Sequence, residues 1–150
     1  MRMALGCLLL LGVSLNAQSS GEDKAADKLN SILMAMKGSR ASQTSLAQQL
    51  RDQMMALTGA DRKPSRATVS GFADEFTDAL FGKNLTNAQV SVLQASITDL
   101  LRGSTANFNS ASRLREILVT LHVADSKTQR ITRRFIAIGE EVRGPDDYRL

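Results

Sequence analysis

The chain has 150 residues, with 19 basic and 15 acidic side chains, one histidine, one cysteine and a formal net charge of +4. That length suits one domain able to bury its own core. The charge is too mixed in sign to specify a polyanionic partner, and five Phe, one Tyr and no Trp supply little for a base-stacking surface.

Residues 1–17 read as a secretory signal peptide. Arg2 supplies the positive start, Leu5 to Leu11 (interrupted by Gly6) with Val13 and Leu15 the apolar run, and Ala17 a small residue at the cleavage point before Gln18. Ala4 to Leu15 spans 12 residues, short of the ~20 that a membrane-crossing helix needs. Contact with a membrane is therefore expected only through the leader before cleavage. Its removal would also remove Cys7, the one cysteine. The mature chain would then carry no disulfide and no thiol chemistry, and its stability would rest on packing. The expected location is the periplasm or the exterior. Residues 18–23 are expected to be a flexible start, 24–144 a helical domain and 145–150 a polar tail.

From residue 24 onward no alternating strand pattern occurs, and apolar residues recur at helical spacing. Leu29, Ile32, Leu33 and Met36 form a first stripe. Leu46, Leu50, Met54 and Leu57 form a second, and Val69, Phe72, Ala73, Phe76 and Leu80 a third. Val90, Leu93, Ile97, Leu100 and Leu101 form a fourth, Leu114, Ile117, Leu118 and Leu121 a fifth, and Ile131, Phe135, Ile138 and Val142 a sixth. Gly38, Gly59, Gly82, Gly103 and Gly144-Pro145 punctuate five of the ends. The expected helices are 24–37, 43–58, 66–81, 87–102, 110–122 and 126–143. Thr86 and Gln89 predict a capping box with Leu85 and Val90 as its hydrophobic staple; Ser45 with Gln48 and Ser126 with Gln129 are read the same way. Six one-faced helices must share one core, so the fold class is all-α, a single compact bundle. Helices one and two carry softer residues and are expected to be its mobile or partner-dependent part.

No residue set qualifies as catalytic, cofactor-binding or metal-binding. His122 is the only histidine. Met34 and Met36 lie two apart and project about 200° apart on a helix, so they cannot share a metal ion. Asp74, Glu75 and Asp78 are expected to form an exposed acidic ridge opposite Phe72, Phe76 and Leu80. An exposed ridge gives a carboxylate no reason to shift its pKa toward catalysis. No enzyme activity and no cofactor are expected.

Lys127, Arg130 and Arg134 lie along one flank of the sixth stripe, with Arg133 opposite, and could contact a partner. Helix, short turn and basic helix from Leu114 to Ile138 also has the rhythm of a helix-turn-helix. That makes nucleic-acid binding through 126–143 the alternative reading, which the export signal disfavours.

Leu85-Thr86-Asn87-Ala88-Gln89 reads L-T-x-x-Q. With the leader and the helical pattern it resembles the Spy/CpxP family of periplasmic stress proteins. The resemblance implies a helical, cradle-shaped protein that binds unfolded chains without ATP or takes part in envelope-stress sensing, with residues 85–89 opening a helix rather than binding. The function expected from the sequence is thus non-enzymatic: an exported helical protein binding or scaffolding another protein, or a second copy of itself, in the bacterial envelope. No small-molecule substrate is evident.

Overall fold

Each apolar stripe becomes one face of a helix in the computed structural model, which describes residues 24, 26–58, 63–102 and 107–143. A first helix, α1, runs over 26–38. It is followed by α2 (Gln43–Leu57), α3 (Arg66–Leu80), α4 (Asn87–Leu101), α5 (Asn107–Thr120) and α6 (Asp125–Arg143). The fold is an all-α bundle of six helices, with no strand among the described residues. The leader, residues 18–23, the 145–150 tail, and the stops at Gly59, Gly103 and Gly144 all lie outside the described residues.

The order of packing follows from short connections and from ion pairs that fix direction. Asp52 late in α2 pairs with Arg66 at the start of α3 at 3.3 Å, and Gln43 at the start of α2 donates to Asp78 late in α3 at 2.9 Å. Those helices are therefore antiparallel. Asp99 and Arg113, 3.9 Å apart, tie α4 to α5 across their short connection. Helix α6 lies against both α3 and α5 and touches α4, so it joins the two hairpins. The core it closes holds Phe72, Phe76 and Phe135, all fully buried. Phe72 stacks on Phe76 with ring centroids 5.0 Å apart, and Phe135 tilts onto Phe72 at 5.4 Å.

Helices α1 and α2 are docked in this same core, against the expectation that they would be its mobile or partner-dependent part. Leu29, Leu33, Met36, Leu50 and Met54 are fully buried and continuous with the α3–α6 residues. Both ends of α1 are tied down by hydrogen bonds. Gln94 of α4 donates to the Ala26 carbonyl at 2.9 Å, and the Gly82 N–H donates to the Met36 carbonyl at 2.9 Å. Soft side chains such as Met fill irregular space as fully as branched ones, so composition did not reveal how well they dock.

Helices α2 and α6 start within a residue of the expected positions, but the expected caps Ser45 and Ser126 lie inside them. Helix α2 is capped by Ser42, whose hydroxyl accepts from the Ser45 N–H at 3.1 Å, and Ser45 lies inside the first turn. Helix α6 begins at Asp125, so Ser126 is likewise inside. Helix α5 starts at Asn107 and stops at Thr120. The capping box at α4 is complete: the Thr86 hydroxyl accepts from the Gln89 N–H at 3.0 Å, and the Gln89 side chain accepts from the Thr86 N–H at 2.9 Å. Thr86→Ala should cost about 1 kcal/mol by stranding one of these donors. Urea unfolding followed by circular dichroism checks it, and an unchanged midpoint would show the cap to be idle.

Two helix ends use left-handed residues that are not glycine. Helix α1 ends with Ser39 at φ 51°; the Ser39 N–H donates to the Met36 carbonyl and the Arg40 N–H to the Ala35 carbonyl. Helix α5 ends with His122 at φ 62°, with the His122 N–H on the Val119 carbonyl and the Val123 N–H on the Leu118 carbonyl. Both are Schellman motifs, which satisfy the last carbonyls of a helix. In the second, buried Val123 and Leu118 supply the apolar contact that accompanies this motif. Gly38 is thus the last helical residue of α1 rather than the left-handed one.

Candidate functional site

The charged residues singled out by the sequence meet in one seam between α3 and α6. Glu75, two turns into α3, receives Arg130 at 2.8 Å and Arg134 at 3.2 Å. Asp78, one turn further, receives both Lys127 and Gln43. At the other end of the seam, Glu141 of α6 accepts from the Ser65 N–H at 3.2 Å and from the Thr68 hydroxyl at 3.0 Å. A carboxylate at that place also faces the positive end of the α3 dipole. The Arg134 side chain lies over Gly71, where any β-carbon would press on its guanidinium.

The acidic ridge and the basic flank are therefore complements of each other. Glu75 and Asp78 recur at three residues along α3, and Lys127, Arg130 and Arg134 recur at three and four along antiparallel α6. The Glu75 side chain is only 24% exposed, so it is a partly buried anchor rather than a solvated ridge. Asp74 remains exposed beside α2. Arg133 also remains exposed. Pairs this exposed add little each. Their geometric effect is to hold α6 in register over the aromatic core.

Lys127, and after it Gln43, hold the Asp78 carboxyl below its ordinary value of 3.8 by hydrogen bonding to the charged form. A carboxyl whose folded pKa is depressed adds stability above its unfolded pKa and loses it as pH falls through the folded value. Stability should therefore decline as pH falls below about 4, and Asp78→Asn should flatten that part of the curve. A titration of the unfolding midpoint between neutral and acid pH reads both; equal slopes in the two proteins would refute the assignment.

The remaining sequence candidates are dispersed. His122 is exposed at its left-handed turn. Met36 is fully buried and Met34 only partly so. Among the described residues no three His, Cys, Asp or Glu side chains gather to hold a metal, and no helix is long and apolar enough to cross a membrane. Leu85 is buried as the staple, and Thr86 and Gln89 are occupied by the capping box.

A feature the sequence reading passed over lies on the far side of the bundle. From Asn84 to Thr98 the chain holds no charged residue. The outward face of α4 therefore presents Asn87, Ala88, Ser91, Val92 and Ala95. Val92 and, on neighbouring α5, Val119 stand out as exposed large hydrophobics, at 36% and 50%. Between the two helices runs an open groove of about 360 Å³, lined by Ala88, Gln89, Val92, Arg113, Glu116 and Ile117. The signal was legible in principle, as an uncharged stretch on a helix that must have one solvent face. A second open groove, of about 630 Å³, separates α1 from α2 and is rimmed by Asp27, Lys28, Gln49, Asp52 and Gln53. Its rim mixes both charges.

Comparison with family models, with curated proteins and with solved structures returned no match.

Proposed function

We propose that this chain is a non-enzymatic helical binding module, exported to the bacterial envelope, where it docks on or scaffolds another protein. The observation that carries the reading is the uncharged outward face of α4 with exposed Val92 on it. A bundle that spends its six apolar stripes on one core and its α3–α6 charges on each other leaves this as the face best suited to a partner. Export rests on the apolar run after Arg2 and the small residues up to Ala17.

The extent of that face also bears on the kind of binding. One exposed valine set among Ala and Ser makes a small patch, below the several hundred Å² of contiguous apolar surface that marks broad capture. That favours a specific contact over the general holding of unfolded chains that the L-T-x-x-Q resemblance implies. The nucleic-acid alternative draws no support from the basic flank, since Lys127, Arg130 and Arg134 face Glu75 and Asp78. Phosphate contacts depend on cations free to neutralise the backbone.

The test has two parts. Mass spectrometry of the protein from an envelope fraction should find a mature start near Gln18; an intact Met1 in the cytoplasmic fraction would overturn export. Affinity capture from the same fraction, with the parent chain and a Val92→Glu variant, should yield a partner that the variant loses. Equal capture by both would remove the α4 face from the reading.

A further inference from the structure

We infer that Met34 and Met55 are reversible oxidation sites, through which a hydroperoxide weakens the hold of α1 and α2 on the core. The placement of the thioethers carries this. The sequence has six methionines. Met1 and Met3 precede the described residues, and the other four, Met34, Met36, Met54 and Met55, all lie on α1 and α2. Helices α3 to α6 contain none. Apart from Cys7, methionine supplies the only sulfur side chains of the sequence. The four helical methionines are not equivalent. Met36 and Met54 are fully buried and serve as core filler. Met34 and Met55 are only partly buried, yet both pack against the same core. Each is thus open to a small oxidant and in contact with the core at once.

The chemistry is a two-electron transfer of oxygen. A lone pair of the thioether sulfur attacks the terminal oxygen of the hydroperoxide, the O–O bond breaks, and an S–O bond forms. The attacked oxygen gives up its proton, and the leaving oxygen takes one up to depart as water or alcohol. Sulfur is oxidised and the peroxide is reduced. The product is a sulfoxide, polar and chiral where the thioether was apolar and flexible, and reductases convert it back. At Met34 or Met55 the new oxygen either turns out to solvent, which takes the side chain off its core contacts, or stays against apolar neighbours without a donor. Both weaken docking. Since all four methionines lie on α1 and α2, the effect falls on those two helices.

Hydrogen peroxide added to the full chain tests this, with peptide mapping by mass spectrometry reading each methionine separately. Met34 and Met55 should gain oxygen at least about tenfold faster than Met36 and Met54, whose oxidation waits on opening of the fold. Protein carrying both sulfoxides should unfold at lower urea, its unfolding equilibrium constant raised about tenfold, and methionine sulfoxide reductases should restore the parent midpoint. A Met34→Leu, Met55→Leu variant keeps the volume and the apolar contact, so its midpoint should not move under the same exposure. Equal oxidation rates at the four positions would overturn the inference. So would an unchanged midpoint in protein shown to carry both sulfoxides, or a double variant that loses stability as the parent does. If the double variant does not fold, the reductases decide the same point: a midpoint that stays low after Met34 and Met55 are reduced assigns the loss to another lesion.

Discussion

Replacing Phe76 by alanine is expected to destabilise the protein by about 3–5 kcal/mol. That is a large share of the ~5–15 kcal/mol that holds a typical domain folded. Phe76 is fully buried on the inner face of α3 and stacks on Phe72. Phe72 in turn meets Phe135 of α6, so the three rings span the junction between the two hairpins. Removing one ring empties a space that rigid helices on either side cannot collapse to fill.

The same geometry predicts how the effect is shared. Phe72→Ala and Phe135→Ala should not be additive, because the two rings touch. A double-mutant cycle should return a coupling of about 0.5–1.5 kcal/mol. Phe81, just past the end of α3 and only partly buried, is the matched control, and Phe81→Ala should cost distinctly less. Urea unfolding of the five variants, the Phe72/Phe135 double mutant included, measures this. A midpoint for Phe76→Ala equal to that of the parent would overturn the assigned face of α3 and with it the seam, which depends on Glu75 and Asp78 lying to one side of the rings.

What was readable in the sequence divides along the line between local and long-range causes. Six apolar stripes at a spacing of three and four are a local signal, and each became the buried face of a helix. The Thr86–Gln89 box is also local, closed within four residues, and formed as its pattern predicts. Ser42 and Ser45 show the limit of that reasoning. Both are good caps, and in the fold Ser42 takes the role, with Ser45 supplying the N–H that its hydroxyl accepts. Ser39 and His122 were invisible as left-handed residues, because a Schellman ending is set by apolar contact after the turn as well as by the residue in it. The seam illustrates the long-range case. Asp78 and Lys127 are 49 residues apart in the chain, so the acidic and basic clusters each looked solvent-facing when read alone. Only the antiparallel placement of α6 on α3 makes one answer the other. The α4 face is hard to read from sequence for a different reason: it is defined by an absence of charge between Asn84 and Thr98 rather than by any reactive side chain.

Helix α1 supplies the second large effect. Leu33→Ala is expected to cost about 2–5 kcal/mol, although its helix carries the softer residues that composition associates with a loose end. Leu33 is fully buried among the core residues, between Leu29 and Met36, which are also fully buried. The helix is held at its start by Gln94 and at its end by the Gly82 N–H. Gly82 takes φ 75° there, a left-handed conformation that glycine adopts without steric cost. The end of α3 is thereby shaped to meet the end of α1. A helix anchored at both ends and through its middle should unfold with the domain rather than before it. Hydrogen exchange of the backbone amides around Leu33 should therefore report the same opening free energy as those around Phe76, in the parent and in Leu33→Ala alike. If the α1 amides exchange through a cheaper local opening and Leu33→Ala leaves the α3 amides untouched, α1 is an appendage. The core would then be five helices rather than six.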